Sequence, residues 1–551
     1  MNQFFGGVRI NNIQEFDGVS PTPVKAKYYL YSQPFVINPV DTVNDFLTIQ
    51  NVTTVNSDQT TEEYTKVTRN ASTKYALGAI QGGTVGYGQV TTLDGLNGAN
   101  GYTVSTFRTD AASQADAASL KFPYPPTDPH SWRSGLLLAE QTYTASNAPV
   151  KSTQNNYNFV NPFTITNVKY GTSTAYSNAA TQTQVLSGIT TMCFSLTNEQ
   201  VEKLSSTETT YDQLTGNSLS TTTSYYYDDA ANMQPVRTVS LDSKGDTVLT
   251  YSRTALELPA INSSIPLTAS ATAALDTMMA RNMVSQPVES ERYVGGTLVY
   301  KALTNYLQQP TGLILPTNLM LQNNAYPIET RVNFLEYDNY GNLLEQAKAS
   351  DVNHNYIYDY VSSYPIAEVL NADSTSIAYT SFESTGSGNW TIPSTLTDPY
   401  AVTGTQCYNL LNGAISRAGL KSTVVYVVSY WSKTGNSYTV SGTTGIMKGA
   451  VVTVNGQTWT YFEHAVTGVT SVTVSSTSAG DIDELRLYPS TAQMKTYTYS
   501  PLVGMTSTCD ADNRTTYYQY DAFNRLASIM DQNGNIIKTY QYHYVGHPTQ
   551  Y

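Results

Sequence analysis

Along most of the chain, large side chains alternate with polar ones in short runs, and each run ends in a cluster of Gly, Asn, Asp, Ser or Pro. Lys25 to Tyr31 (KAKYYLY), Leu136 to Tyr143 and Arg331 to Tyr337 (RVNFLEY) show the pattern. A period of two puts successive side chains on opposite faces of a strand, so turn clusters at this spacing predict a succession of antiparallel hairpins. One segment departs from it. Between Thr268 and Val284, the residues Ala271, Leu275, Met278, Met279 and Met283 recur at three- and four-residue steps, with Thr268 placed to cap and Pro287 beyond the end. That spacing predicts one amphipathic helix packed on a sheet, its methionines filling core rather than lining a ligand groove.

The hairpins repeat. Tyr499, Tyr520 and Tyr542 are separated by 21 and 22 residues, each preceded two positions earlier by Tyr497, Tyr518 or Tyr540, and Asp510 and Asp531 sit 21 apart between them. Degenerate copies occur upstream at Tyr227-Asp228, with the turn Asp242 to Asp246, and at Tyr337-Asp338, with Gly341-Asn342. Each unit is expected to be a β-hairpin. Asn533-Gly534 predicts a two-residue type I′ turn with positive φ at both positions, and the tyrosines are expected to stack on their equivalents in the next unit.

Composition narrows the function. Tyrosine contributes 44 residues against 14 Phe and 4 Trp, and with Thr and Val it marks an all-β chain of half-wet strands. Charged residues make up only 13% of the 551, and the net charge of −13 excludes a grip on nucleic acid, whose phosphates need Lys and Arg. Cys193, Cys407 and Cys509 are odd in number and far apart, indicating neither a disulfide framework nor a zinc site. No apolar stretch approaches the ~18–20 residues of a membrane helix. The start, MNQFFGGVRINN, lacks the pattern of a secretory signal, so either the protein is cytoplasmic or an export signal lay upstream.

The residues Y-x-Y-D-x-x-x-R-L, D-x-x-G-N and Y-x-Y at Tyr518 to Tyr544 resemble the YD repeat of rearrangement-hotspot (Rhs) repeat proteins, with Asn524 where the family usually has Gly. The segments GGVRINNIQEFDG, PYPPTDPHSWRSGLLLAEQTY and EYDNYGNLLEQAK resemble upstream regions of the long Rhs-type surface proteins of Bacteroidota. The resemblance implies a secreted or cell-surface protein, part of a larger Rhs-type polypeptide, whose YD hairpins wind into a β-shell. It also implies kinship with polymorphic toxins, although the chain stops after HYVGHPTQY, without their effector domain.

Between the repeats the texture changes to short Val/Thr/Ser strands. We assign residues 1–373 to degenerate repeats including the helix, 374–489 to an inserted two-sheet jelly roll, and 490–551 to further YD repeats. The opening S-F-E, the strand VSYWSK and the closing I-D-E-L-R-L-Y resemble β-sandwich carbohydrate-binding modules. That resemblance implies a surface glycan as partner and names Trp431, Trp459 and Tyr461 as ligand-binding candidates. Alternation puts Tyr430 and Trp431 on opposite faces, so one ring should point outward. An exposed Trp431 would be a sugar platform and a buried one core, while Trp459 reads as core. The same resemblance implies a structural calcium tying the first strand to the last through Glu383 and Asp483; otherwise these are a solvated strand residue and an edge charge.

Catalytic patterns are thin. The five histidines form no HExxH, and no serine stands in a G-x-S-x-G elbow. The expectation is a non-enzymatic repeat scaffold, container wall or adhesin. The alternative is a carbohydrate-binding protein acting through the sandwich.

Overall fold

The computed structural model describes residues 9–16, 20–36, 47–56, 58, 60–69, 85–110, 130–172, 189–229, 231–394 and 396–542. The start MNQFFGGV, the PYPPTDP turn and the final HYVGHPTQY lie outside these residues. The chain divides into two compact units, residues 1–13, 26–249 and 542–551 in the first, and 14–25 and 250–541 in the second.

In the first unit, Val85–Asp94, Gly101–Phe107, Leu137–Tyr143, Pro149–Thr172, Ile189–Tyr211 and Ser218–Tyr226 each pair antiparallel with the next. Leu47–Val55 and Thr61–Arg69 form a separate two-stranded ribbon. The short connections Asp94 to Gly101, Tyr143 to Pro149 and Tyr211 to Ser218 make neighbours of the strands they join, while Lys25–Val36 pairs with Val85–Asp94 across a longer span of chain.

The second unit holds a longer meander. Glu289–Val294, Thr297–Gln308, Ile314–Asn323, Glu329–Tyr337, Leu343–Lys348, Asn353–Asp359 and Tyr364–Leu370 pair in order. The chain then leaves the sheet, builds the sandwich, and returns as Gln493–Ser500 directly beside Tyr364–Leu370, with Leu370 opposite Gln493. Gly504–Cys509, Thr515–Tyr520, Leu526–Met530 and Ile536–Thr539 continue the order. The sandwich is thus one long connection between two adjacent strands, and it belongs to the same compact unit as the hairpins on either side.

Five turns share one device. At Asp242, Asp338, Asp510, Asp521 and Asp531 the carboxylate accepts the N–H groups two and four residues on. The fourth residue of each turn, Gly245, Gly341, Asn513, Asn524 or Gly534, has φ between 59° and 91°. The expected type I′ turn at Asn533-Gly534 is therefore not formed. Asp531 captures the N–H of Asn533, leaving only Gly534 with positive φ, as in a type I turn closed by a left-handed residue. Asn524 fits where the repeat pattern has Gly because Asn tolerates that conformation best among residues with a Cβ.

The repeat tyrosines work partly by stacking and partly through their phenols. Tyr499 stacks on Tyr364 with ring centroids 4.8 Å apart. Tyr337, Tyr499 and Tyr520 donate their O–H groups to the carbonyls of Pro316, Pro365 and Met505 at 2.8–2.9 Å. Each phenol thereby satisfies a backbone acceptor on its own sheet.

The predicted helix spans Ala269–Ala280, and Thr268 accepts the N–H of Ala271. Its Ala274, Leu275 and Met278 are buried against Leu303, Tyr306 and Ile314, as core filling requires. A second, seven-residue helix, Leu258–Ser264, precedes it. A capping box from Thr254 and Glu257 opens the short 3-10 turn ahead of that helix. It is too short to show a period in sequence.

In the sandwich the larger sheet runs Asp398–Pro399, Gln406–Asn409, Asp481–Pro489, Tyr426–Ser432, Gln457–Val466 and Thr443–Val454, with Ala378–Thr380 also on Asp481–Pro489. The smaller sheet runs Ile415–Ala418, Ser471–Ser475 and Thr439–Val440. Between the sheets pack Tyr408, Tyr430, Phe462, Val472, Leu485 and Leu487. Outward from the larger sheet, Tyr379, Val427 and Tyr488 join Ile366, Ala367, Val369 and Met494 of the hairpins in a second core.

Candidate functional site

The closing strand carries the chemistry because its alternation is broken. Opposite Tyr426–Ser432 the register shifts between Ser429, paired with Arg486, and Trp431, paired with Asp483. Glu484 sits at this bulge with φ of 53°. A bulge inserts one residue and re-aims a side chain. Ile482, Leu485 and Leu487 consequently face the sandwich core, whereas Asp483, Glu484 and Arg486 all leave it, buried.

These charges are closed into one network. Glu484 accepts from the hydroxyls of Tyr379, Thr403 and Thr496, and from Arg486 Nη2 at 3.0 Å. Arg486 also donates to Thr496 Oγ1 and to Asn513 Oδ1, both at 2.8 Å. Arg486, 1% exposed, therefore joins the last strand of the sandwich to a hairpin strand and a hairpin turn. A buried pair is tolerated only when its remaining donors and acceptors are satisfied, as here.

Glu383 and Asp483 do come together, on one loop. Asp483 Oδ2 accepts from the amides of Val402 at 2.8 Å and Thr403 at 2.9 Å. Glu383 Oε1 accepts from those of Thr405 at 2.7 Å and Gln406 at 2.5 Å. Burial, followed by repulsion from Glu484, pushes the Asp483 carboxyl well above the usual range. Burial also raises Glu383, against the pull of the two amides. The donor set does not fit calcium. A cation at these oxygens would face N–H protons, and among the described residues no three carboxylate, His or Cys side chains group to hold a metal. The carboxylates themselves clamp the loop, so they are neither solvated strand nor edge charges.

Tyr430 and Trp431 lie on opposite faces as expected, but no ring points outward. Tyr430 is in the core between the sheets, and Trp431 packs with Val402, Cys407, Val452, Trp459 and Tyr461. The outer face of the strand is covered too, which the alternation could not reveal. All three aromatic ligand candidates are thus buried, and none offers a free ring face. Among the described residues the indole N–H groups of Trp431 and Trp459 have no hydrogen-bond partner.

Beside this cluster opens a groove of about 930 Å³, between sandwich loops and hairpin turns. Tyr360, Tyr364, Tyr499, Tyr517 and Tyr518 line it. Tyr360 stands edge-on to the Tyr364–Tyr499 stack, and burial pushes its phenol up to about 12. At the rim, Tyr360, Val361, Ser362 and Leu502 have φ of 55–65°. Such backbone costs on the order of 1–3 kcal/mol per residue, more for β-branched Val361, and collects at functional sites. Their sequence signal is only that they belong to repeat tyrosines and turns. Spacing does not tell which rings reach a groove. A second cavity of about 620 Å³ lies in the sandwich, walled by Thr434, Asn436, Ser437, Thr443, His464 and Ser476.

Fold and site together define an all-β hairpin-repeat protein with a β-sandwich inserted between neighbouring strands. No protein-family model matches the chain, and no curated protein does. Among solved structures it is similar to TcdB2-TccC3, at 9% identity and TM-score 0.21, over 94% of this chain and 34% of that one. It is also similar to TcdB2-TccC3 without the hypervariable C-terminal region, at 11% identity and TM-score 0.17, over 92% and 21%. The chain spans about a third or less of the length of these proteins. The fold described above rests on its own strand pairing.

Proposed function

We propose that the chain is a non-enzymatic section of a larger Rhs-type surface or secreted protein, in which the hairpin sheet is a scaffold and the sandwich is seated immovably on it. The observation that supports the scaffold part of this reading is Arg486, whose buried hydrogen bonds reach Glu484 of the sandwich together with Thr496 and Asn513 of the hairpins. A module displayed on a mobile linker would have no use for a desolvated charge at its base. The alternative, sugar binding by Trp431, Trp459 and Tyr461, has their burial against it.

Calorimetry of the full chain tests the scaffold reading. Sandwich and flanking hairpins should unfold in one transition that Arg486→Met splits or lowers, and a panel of glycosidase, esterase and peptidase substrates should show no turnover. A separate sandwich transition in the unaltered chain, or turnover of any substrate, would overturn it.

A further inference from the structure

We infer that the groove between the sandwich loops and the hairpin turns binds a neutral saccharide, with Tyr364 and Tyr518 as ring contacts and Asn455 and Gln532 as amide contacts. The inference is independent of the scaffold reading. The groove's polar groups divide in two. The phenols of Tyr360, Tyr499 and Tyr517 are spent on the carbonyls of Tyr499, Pro365 and Val402. Among the described residues, the phenols of Tyr364 and Tyr518 and the amides of Asn455 and Gln532 have no hydrogen-bond partner, and all four residues line the groove.

The lining selects the class of ligand. Among the described residues its one carboxylate is Glu383, already held by the amides of Thr405 and Gln406, and none of those lining it is Lys, Arg or His. A phosphate, sulfate or carboxylate would therefore enter without a counter-charge. A wholly apolar ligand would leave the amides and phenols unpaired. Peptide capture by strand addition requires a free edge. The hairpin strands that reach the groove, Tyr364–Leu370, Gln493–Ser500, Gly504–Cys509 and Thr515–Tyr520, are each paired on both sides. The edge strand of the larger sandwich sheet, Thr443–Val454, reaches the groove only with its last two residues, Thr453 and Val454, too short a length for an added strand. What remains is a ligand with apolar C–H faces and many hydroxyls. Rings accept the faces, and side-chain amides pair with the hydroxyls. The rim adds an independent sign of function. Val361 and Leu502 are 80% and 94% exposed, apolar, and held in left-handed backbone without being glycine.

The test is binding of the full chain to an array of neutral gluco-, xylo-, manno- and chito-oligosaccharides, beside sialylated and sulfated glycans and a neutral peptide library. At least one neutral oligosaccharide should bind, and titration calorimetry with it should show affinity falling about tenfold or more in Gln532→Ala/Tyr518→Ala. Should that variant unfold, Gln532→Trp, a substitution on a turn, should block the groove with the melting temperature unchanged. No neutral saccharide bound at millimolar concentration, equal binding by the folded variants, or binding confined to charged glycans or to peptides would each overturn the inference. None of these results bears on the single unfolding transition that tests the scaffold.

Discussion

The phenol of Tyr430 lies 3.0 Å from Nε2 of His464 in the sandwich interior. Tyr430 accepts the N–H of Tyr438, so its own proton goes to Nε2. Nδ1 then carries the imidazole proton and donates to Thr443 Oγ1, which donates onward to the carbonyl of Val440. A second proton on the ring would break the chain of donors, and burial holds the His464 pKa down to about 4.

The sign of the pH effect follows. An unfolded histidine titrates near 6.5, so between about pH 6.5 and 4 the unfolded chain binds a proton that the native chain refuses. The contribution of His464 is complete above that window and is lost as pH falls through it, by about 2–3 kcal/mol. Urea unfolding at pH 7 and pH 4.5 should show this loss, and His464→Gln should reduce the difference between the two. An equal pH dependence in the variant would refute the assignment.

Arg486→Met leaves Glu484 buried without its counter-charge. Losing one partner of a buried pair costs about 3–5 kcal/mol, and denaturant unfolding should register it. Glu484→Gln keeps the hydrogen bonds of one oxygen and is expected to cost less. A cost below 1 kcal/mol in Arg486→Met would show that the network is not a structural joint.

Trp431→Ala and Trp459→Ala remove large buried side chains and are each expected to cost about 3–5 kcal/mol. Phenylalanine should be much milder at either position, since the indole N–H groups are unpaired among the described residues. The measurement is melting temperature across the four variants. An alanine variant as stable as the parent would return that ring to the surface.

The carboxylate clamp makes a calcium prediction. Melting of the full chain should be the same with calcium and with chelator, because amides occupy the oxygens of Glu383 and Asp483. Glu383→Ala should lower stability equally in both. A calcium-dependent rise in melting temperature abolished by Glu383→Ala would reinstate the metal.

Gly534 has φ of 81° with open space where a Cβ would stand, so Gly534→Val meets backbone strain alone, about 1–2 kcal/mol. Asn524, at φ of 59°, should gain a few tenths from Asn524→Gly. Opposite shifts in melting temperature are the expected result. If both variants melt as the parent does, the shared turn device is wrong.

Local patterns carried much of this protein. Alternation in KAKYYLY and RVNFLEY foretold strands at Lys25–Val36 and Glu329–Tyr337, and Thr268 foretold the cap of Ala269–Ala280. These depend on neighbours two to four residues away, which the sequence states directly. Tertiary structure decided the rest. Whether Trp431 meets solvent depends on Val402 and Trp459, brought to it by folding, and a period of two says only that it opposes Tyr430. The bulge at Glu484 turned an apparent edge charge into a buried one, and Asp483 met amides of a loop 80 residues away instead of a metal. The groove unites Tyr364, Asn455, Tyr518 and Gln532 from four separate places in the chain, and only the pairing of Leu370 with Gln493 across the inserted sandwich brings those places together.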